Sequence, residues 1–149
     1  MNQLIRGALA GTMATVPMTI AIWAGRKLDM LRTPPPAQIT ANVARRTEAV
    51  DVQSPEAFTA TWLAAHVGFG AGTGALYALV RRRLPMGTGP AGLLFGGVVW
   101  AYNYLGIFPA LNLYPSPEED RNSRVAVMLA AHAVYGVSLA ELERRLAKR

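Results

Sequence analysis

Charge is placed along this chain in a way that few folds can use. No Lys, Arg, Asp or Glu interrupts Gly7 to Gly25, Ala57 to Val80, Leu84 to Pro117 or Val125 to Ala140. A helix needs about 20 mainly apolar residues to cross a bilayer core. The first three stretches meet that length. The fourth reaches it if Arg124 and Glu141 extend their charged ends toward the headgroups. A soluble amphipathic helix would show a polar face at helical spacing, and Ala57 to Val80 has no charged residue with which to build one. The pattern predicts an all-α fold: a four-helix transmembrane bundle forming a single integral membrane domain over 1–149. Its spans are expected near 4–24, 57–80, 91–108 and 125–143, with a polar segment over 26–56.

Composition agrees. Charged residues make up 16% of the chain, against roughly 25% in soluble domains. The net charge of +6 would suggest nucleic acid in a soluble protein. Here the cations flank apolar stretches, as in Arg81-Arg82-Arg83 and in Arg144, Arg145, Lys148 and Arg149. That placement suits topology signals and contact with the lipid bilayer rather than nucleic acid. The chain has no cysteine, so disulfides and thiolate metal sites are excluded. The first span is expected to be retained, because Ile22-Trp23-Ala24 is a poor signal-peptide cleavage site.

A pattern occurs twice. Leu63-Ala64-Ala65-His66 and Leu129-Ala130-Ala131-His132 are each followed by an aromatic-glycine pair, Phe69-Gly70 and Tyr135-Gly136. Each is preceded by Ser-Pro-Glu, at Ser54 and at Ser116. Ser-Pro-Glu is a strong helix start, with Ser as N-cap, Pro in the first turn and an acid near the helix N-terminus. The expectation is two similar helical hairpins arranged as a parallel repeat, with His66 and His132 at matched depth. Ser116-Pro117-Glu118 should open the last helix, putting Glu119, Asp120 and Arg121 in its first turns.

Small residues mark the expected helix contacts. Gly7 and Gly11, Gly92 and Gly96, the series Gly68, Gly70, Gly72 and Gly74, and Gly136 are candidates for close packing. Pro17 should bend the first span. Thr33 to Pro36 should be extended, since residues before proline avoid helical angles. A short amphipathic helix follows, with Ile39, Val43 and Val50 on one side, lying on the bilayer or serving as an ordered linker. Pro109 should end the third span. Arg6 should snorkel, and Asn103 should bond a neighbouring helix. The inner side, with both termini cytoplasmic, would carry the denser clusters, Arg81 to Arg83 and Arg144 onward.

His66 and His132 are the candidate cofactor-binding residues. Two imidazoles from two helices suit haem b ligation, quinone binding or a proton relay. The bland alternative is that both pack. No phosphate loop, zinc motif, nucleophile elbow or dinucleotide fingerprint is present, so no catalytic residue or metal site is assigned. Gly7 to Gly11 with Pro17, the run Pro34-Pro35-Pro36, and Ala131-His132 leading to Arg144-Arg145 resemble the small uncharacterised bacterial multi-pass inner-membrane proteins of the YagU-like group. The resemblance implies a bacterial inner-membrane location and a stress-related role. The leading expectation is a non-enzymatic structural or interaction protein, partnered by its own copies or by another membrane protein. The rivals are a b-type haem or quinone-binding protein using His66 and His132, and a small transporter or channel lined by the histidines, Asn103, Thr73 and the glycines of the second span.

Overall fold

The computed structural model describes residues 1–47 and 54–148. It is all-helical over those residues. In chain order the elements are α1 (Gln3–Lys27), α2 (Pro35–Thr47), α3 (Pro55–Arg81), α4 (Thr88–Ala101), a π-helical segment (Tyr102–Ile107), the short α5 (Phe108–Ala110) and α6 (Asn122–Ala147). Among the described residues, four stretches are long and apolar enough to cross a membrane: Gln3–Lys27, Pro55–Arg81, Thr88–Ala110 and Asn122–Ala147.

Local chemistry sets the helix ends. Ser54 Oγ accepts from the Ala57 N–H at 3.3 Å and Pro55 opens α3, as the Ser-Pro-Glu motif predicts. The second copy of that motif behaves differently. Ser116 to Asp120 form a turn, and α6 begins only at Asn122. The acids are drawn elsewhere. Glu119 accepts from the Ser116 N–H at 3.4 Å. Asp120 accepts from the Tyr104 hydroxyl and pairs with Arg124 at 3.4 Å. The proline run also departs from expectation. Pro35 and Pro36 fill the first turn of α2 rather than an extended strap, where their missing N–H groups would have no helical partner anyway. Of the residues expected on that helix, Val50 lies outside the described residues, as does Arg149 at the C-terminus. The third span continues past Pro109 by widening. Proline lacks a donor and its ring crowds the carbonyl four residues back. The π turn immediately before it carries the chain through to Ala110, with the Phe108 N–H reaching the Asn103 carbonyl.

The bundle is packed inside out relative to a soluble one. Along α1, Ala10 and Ala14 are fully buried while Leu9 is 46% and Val16 60% exposed. Gly7, Gly11 and Gly25 face inward, and Ile5, Met13, Ile20 and Trp23 face outward. The same holds for Leu76 and Leu79 of α3 and for Leu93, Leu94 and Val98 of α4. Small residues inside and large apolar ones outside fit lipid, where close backbone packing holds helices together.

α1 packs along α3, α4 along α6, and α1 along α6, whereas α3 meets α4 and α6 only sparsely. The two hairpins have matching crossings. A Cβ added to Gly74 would strike the Gly7 carbonyl and lie 2.7 Å from Gly11 Cα. One added to Gly136 would strike the Gly92 carbonyl and lie 2.9 Å from Gly96 Cα. Gly11 sits against the Gly70 carbonyl, as Gly96 sits against that of His132. Gly70 therefore corresponds in place to His132. His66 lies one turn nearer the start of its helix, in the frame of its own hairpin. The matched depth expected from the sequence motif does not occur.

Gly68 and Gly72 are also corrected. Nothing lies within 4 Å of a Cβ at either position. Two residues along a helix turn the side chain through about 200°, so only Gly70 and Gly74 of the series can share the crossing.

One further contact joins α1 to α6. Arg6 does not snorkel: its Nη2 lies 2.7 Å and its Nε 2.8 Å from Glu143 Oε1, with both side chains largely buried.

Candidate functional site: a chamber between the hairpins

Because α3 and α4 stand apart, a cavity of about 230 Å³ opens between the hairpins. Its walls come from α1 (Thr15, Met18), α3 (His66, Phe69, Gly70), α4 and the π segment (Val99, Trp100, Asn103, Tyr104) and α6 (Met128, His132, Tyr135). α2 forms the roof through Pro35, Pro36, Ile39 and Thr40. The roof is tied down at its far end. Asn42 Nδ2 donates to the Leu113 carbonyl at 2.8 Å, and Arg46 donates to the carbonyls of Leu111 and Asn112 at 2.6 and 3.0 Å.

Both histidines line this chamber, but their states differ. His132 is buried and its Nδ1 lies 2.8 Å from the Met128 carbonyl. A carbonyl only accepts, so Nδ1 carries the proton and Nε2 holds a lone pair. Among the described residues that Nε2 makes no hydrogen bond, and it is not sealed from access. His66 has no such anchor, and its Nε2 is sealed without a partner among the described residues.

Asn103 is buried beside them and corrects its expected role. Its Nδ2 donates to the Val99 carbonyl of its own helix at 2.7 Å, leaving Oδ1 unpaired. Thr73 is not part of the wall. Its Oγ1 lies 2.7 Å from the Tyr135 hydroxyl, which donates to the Gly70 carbonyl at 2.8 Å. That network bridges α3 and α6 below the chamber. Of the two glycines that follow the histidines in the repeated motif, Gly70 lines the chamber, and Gly136 belongs to the α4–α6 crossing.

Aromatic residues close the end of the chamber near the π segment. Trp100 meets Tyr104 edge-on at 5.7 Å, and Tyr104 meets Tyr114 at 5.6 Å. Arg124 Nη1 donates to the Tyr114 hydroxyl at 3.2 Å. Burial pushes the Tyr114 phenol up to about 12, so it stays a neutral hydroxyl in this loop.

The chain matches the family of unknown function DUF6789 over residues 1–149. It belongs to that family. The YagU-like resemblance finds no support beside this whole-length match. Searches of curated proteins and of solved structures return no match. The DUF6789 fold in this chain therefore supplies its own functional evidence.

Several wall residues were not foreseen from the sequence. From the sequence, Pro35 and Pro36 read as an extended strap and Ile39 as part of a surface helix or an ordered linker. Tyr135 and Phe69 carried a signal, since they hold the same place in the two His-containing motifs. Glu143, the partner of Arg6, lies in a charged tail where nothing in the sequence marks it as buried.

Proposed function

We propose that this DUF6789 member is a non-enzymatic multi-pass membrane protein that holds a small lipophilic molecule in the chamber between its hairpins. The observation carrying this reading is the chamber itself: mainly apolar walls, a few convergent polar groups and a dedicated roof in α2. Sites for small molecules have this make-up. Its volume of about 230 Å³ lies below the roughly 300–1,000 Å³ of sites for drug-sized ligands, which favours a single ring or short chain over a porphyrin. The haem alternative loses ground on size, while a quinone-like ring remains within it. The two crossings with matched glycines support reading the hairpins as copies of one unit.

Location and orientation belong to the same proposal. The membrane is the bacterial cytoplasmic membrane, with both termini inside. Arg6, Arg81 to Arg83, Arg144 and Arg145 gather at one end of the bundle, as the positive-inside rule favours. A reporter fused after Arg149 should be cytoplasmic and one inserted in α2 periplasmic; the reverse pair would invert the topology.

The binding reading is tested with toluene and the purified protein in nanodiscs. Toluene should bind saturably by calorimetry, with one site per chain above its partition into lipid. Ala65→Trp, at the chamber wall, should abolish that site. Partition alone, unchanged by the substitution, would end the reading.

A further inference from the structure

The most deeply buried wall of the chamber presents acceptors of fixed sense. Five buried polar side chains reach it, Thr15, Asn103, Tyr104, His132 and Tyr135, with the half-buried His66 at the α3 side. Most of their protons are already committed. Thr15 Oγ1 donates to the Thr12 carbonyl at 2.7 Å. Tyr104 donates to Asp120 and Tyr135 to the Gly70 carbonyl. His132 spends its Nδ1–H on Met128, and Asn103 donates an amide N–H to Val99. The Trp100 indole N–H is sealed from access. Besides the second amide N–H of Asn103, what these five leave reachable is a pair of acceptors, His132 Nε2 and Asn103 Oδ1. Neither makes a hydrogen bond among the described residues. Buried acceptors left unpaired are costly, and an apolar guest would leave them so.

We infer that the occupant is a hydrogen-bond donor: a small lipophilic phenol or alcohol whose hydroxyl donates to His132 Nε2, with Asn103 Oδ1 as a second acceptor. The inference rests on the chamber being a binding site and adds the chemical class of its ligand. It also sorts the quinone alternative. A quinone offers only carbonyl oxygens, which leave His132 Nε2 unpaired, whereas a hydroquinone offers it an O–H group. The tautomer of His132 is what makes the wall selective. The Met128 carbonyl holds the proton on Nδ1, so the nitrogen left for the ligand is the accepting one.

The test compares para-cresol with its methyl ether, which keeps the ring and loses the donor. Both are titrated calorimetrically into the full-length protein in nanodiscs, each corrected for partition into empty discs. Para-cresol should bind about tenfold tighter or more, the scale of one net hydrogen bond. His132→Phe should bring the two affinities together by weakening the phenol alone. Asn103→Leu should narrow the gap and serves as the second variant if His132→Phe fails to fold. Equal saturable binding of phenol and ether to the native protein would overturn the donor inference while leaving the chamber a binding site. A phenol preference that survives both substitutions would overturn the assignment to these residues. Saturable binding of neither compound would overturn this inference together with the proposed function.

Discussion

The two ends of the bundle are built from different materials. At the end bearing Arg81 to Arg83 and the α6 C-terminus, backbones touch: Gly7 and Gly11 lie on Gly70 and Gly74, and Gly92 and Gly96 lie on Gly136. At the other end the helices part, and rings, a roof helix and a chamber fill the space. Glycine contacts give dense packing and leave no room for chemistry. Large side chains hold helices apart, and where their shapes do not mesh they leave a cavity. A membrane bundle gains cohesion from close packing rather than from expelling water. One tightly crossed end therefore allows the other to stay open.

The largest expected break in that contrast is at the crossing. Gly74→Leu or Gly136→Leu puts atoms into an opposing backbone that no side-chain rotation can clear. Either should eliminate the folded melting transition in detergent. Gly72→Leu, facing outward on the same helix as Gly74, should shift stability by no more than about 0.5 kcal/mol. Equal damage from Gly72→Leu and Gly74→Leu would show that the helix phase is wrong.

Next in size is the ion pair that staples α1 to α6 at the tight end. Glu143→Leu strands Arg6 in a buried place, for which the expected loss is about 3–5 kcal/mol. Adding Arg6→Met should recover most of it, because a paired charge and a packed apolar pair are often near equal in worth. A double variant as weak as the single one would mean that Arg6 does more than neutralise Glu143.

At the open end the effects should be smaller. Asp120→Asn weakens the contacts to Tyr104 and Arg124 and is expected to cost about 1–3 kcal/mol. The loss should appear as faster hydrogen exchange in the 111–121 loop, with the glycine crossings unaffected. Smallest of all, Gly68→Ala should be neutral or slightly stabilising by up to about 1 kcal/mol from helix propensity. A measurable loss there would reveal a hidden contact on that face.

Much of the architecture was legible because charge is so costly in lipid that its absence marks the spans. Ser54 was legible as a cap because its hydroxyl serves the neighbouring backbone. The same motif at Ser116 misled because Asp120 is claimed by Tyr104 and Arg124, partners distant or unmarked in sequence. The alternating glycines of α3 marked the packing helix but were all taken as contacts, since the phase that selects Gly70 and Gly74 is set by a helix elsewhere in the chain. The histidines were legible as a pair and misplaced by one turn, because the repeated motif and the repeated crossings run in different registers. The chamber was not legible. It exists where two helices fail to meet, and no residue encodes a gap.

The π segment has a consequence for how this protein tolerates changes in length. A turn that bonds five residues back holds one residue more than an α-helical turn over the same rise. The third span is in effect a helix with a single insertion absorbed at Tyr102–Ile107. Removing one residue there, for instance the unencumbered Gly106, would let the span revert to plain α-helix. Side chains beyond the cut would keep their directions, because the wide turn alone had taken up the extra residue. Phe108 would stay where it is, and the loop clamped by Asn42 and Arg46 would remain in reach. The same deletion in the plain helix of α1 would swing every side chain beyond it by about 100° and carry one side of the glycine crossing out of phase.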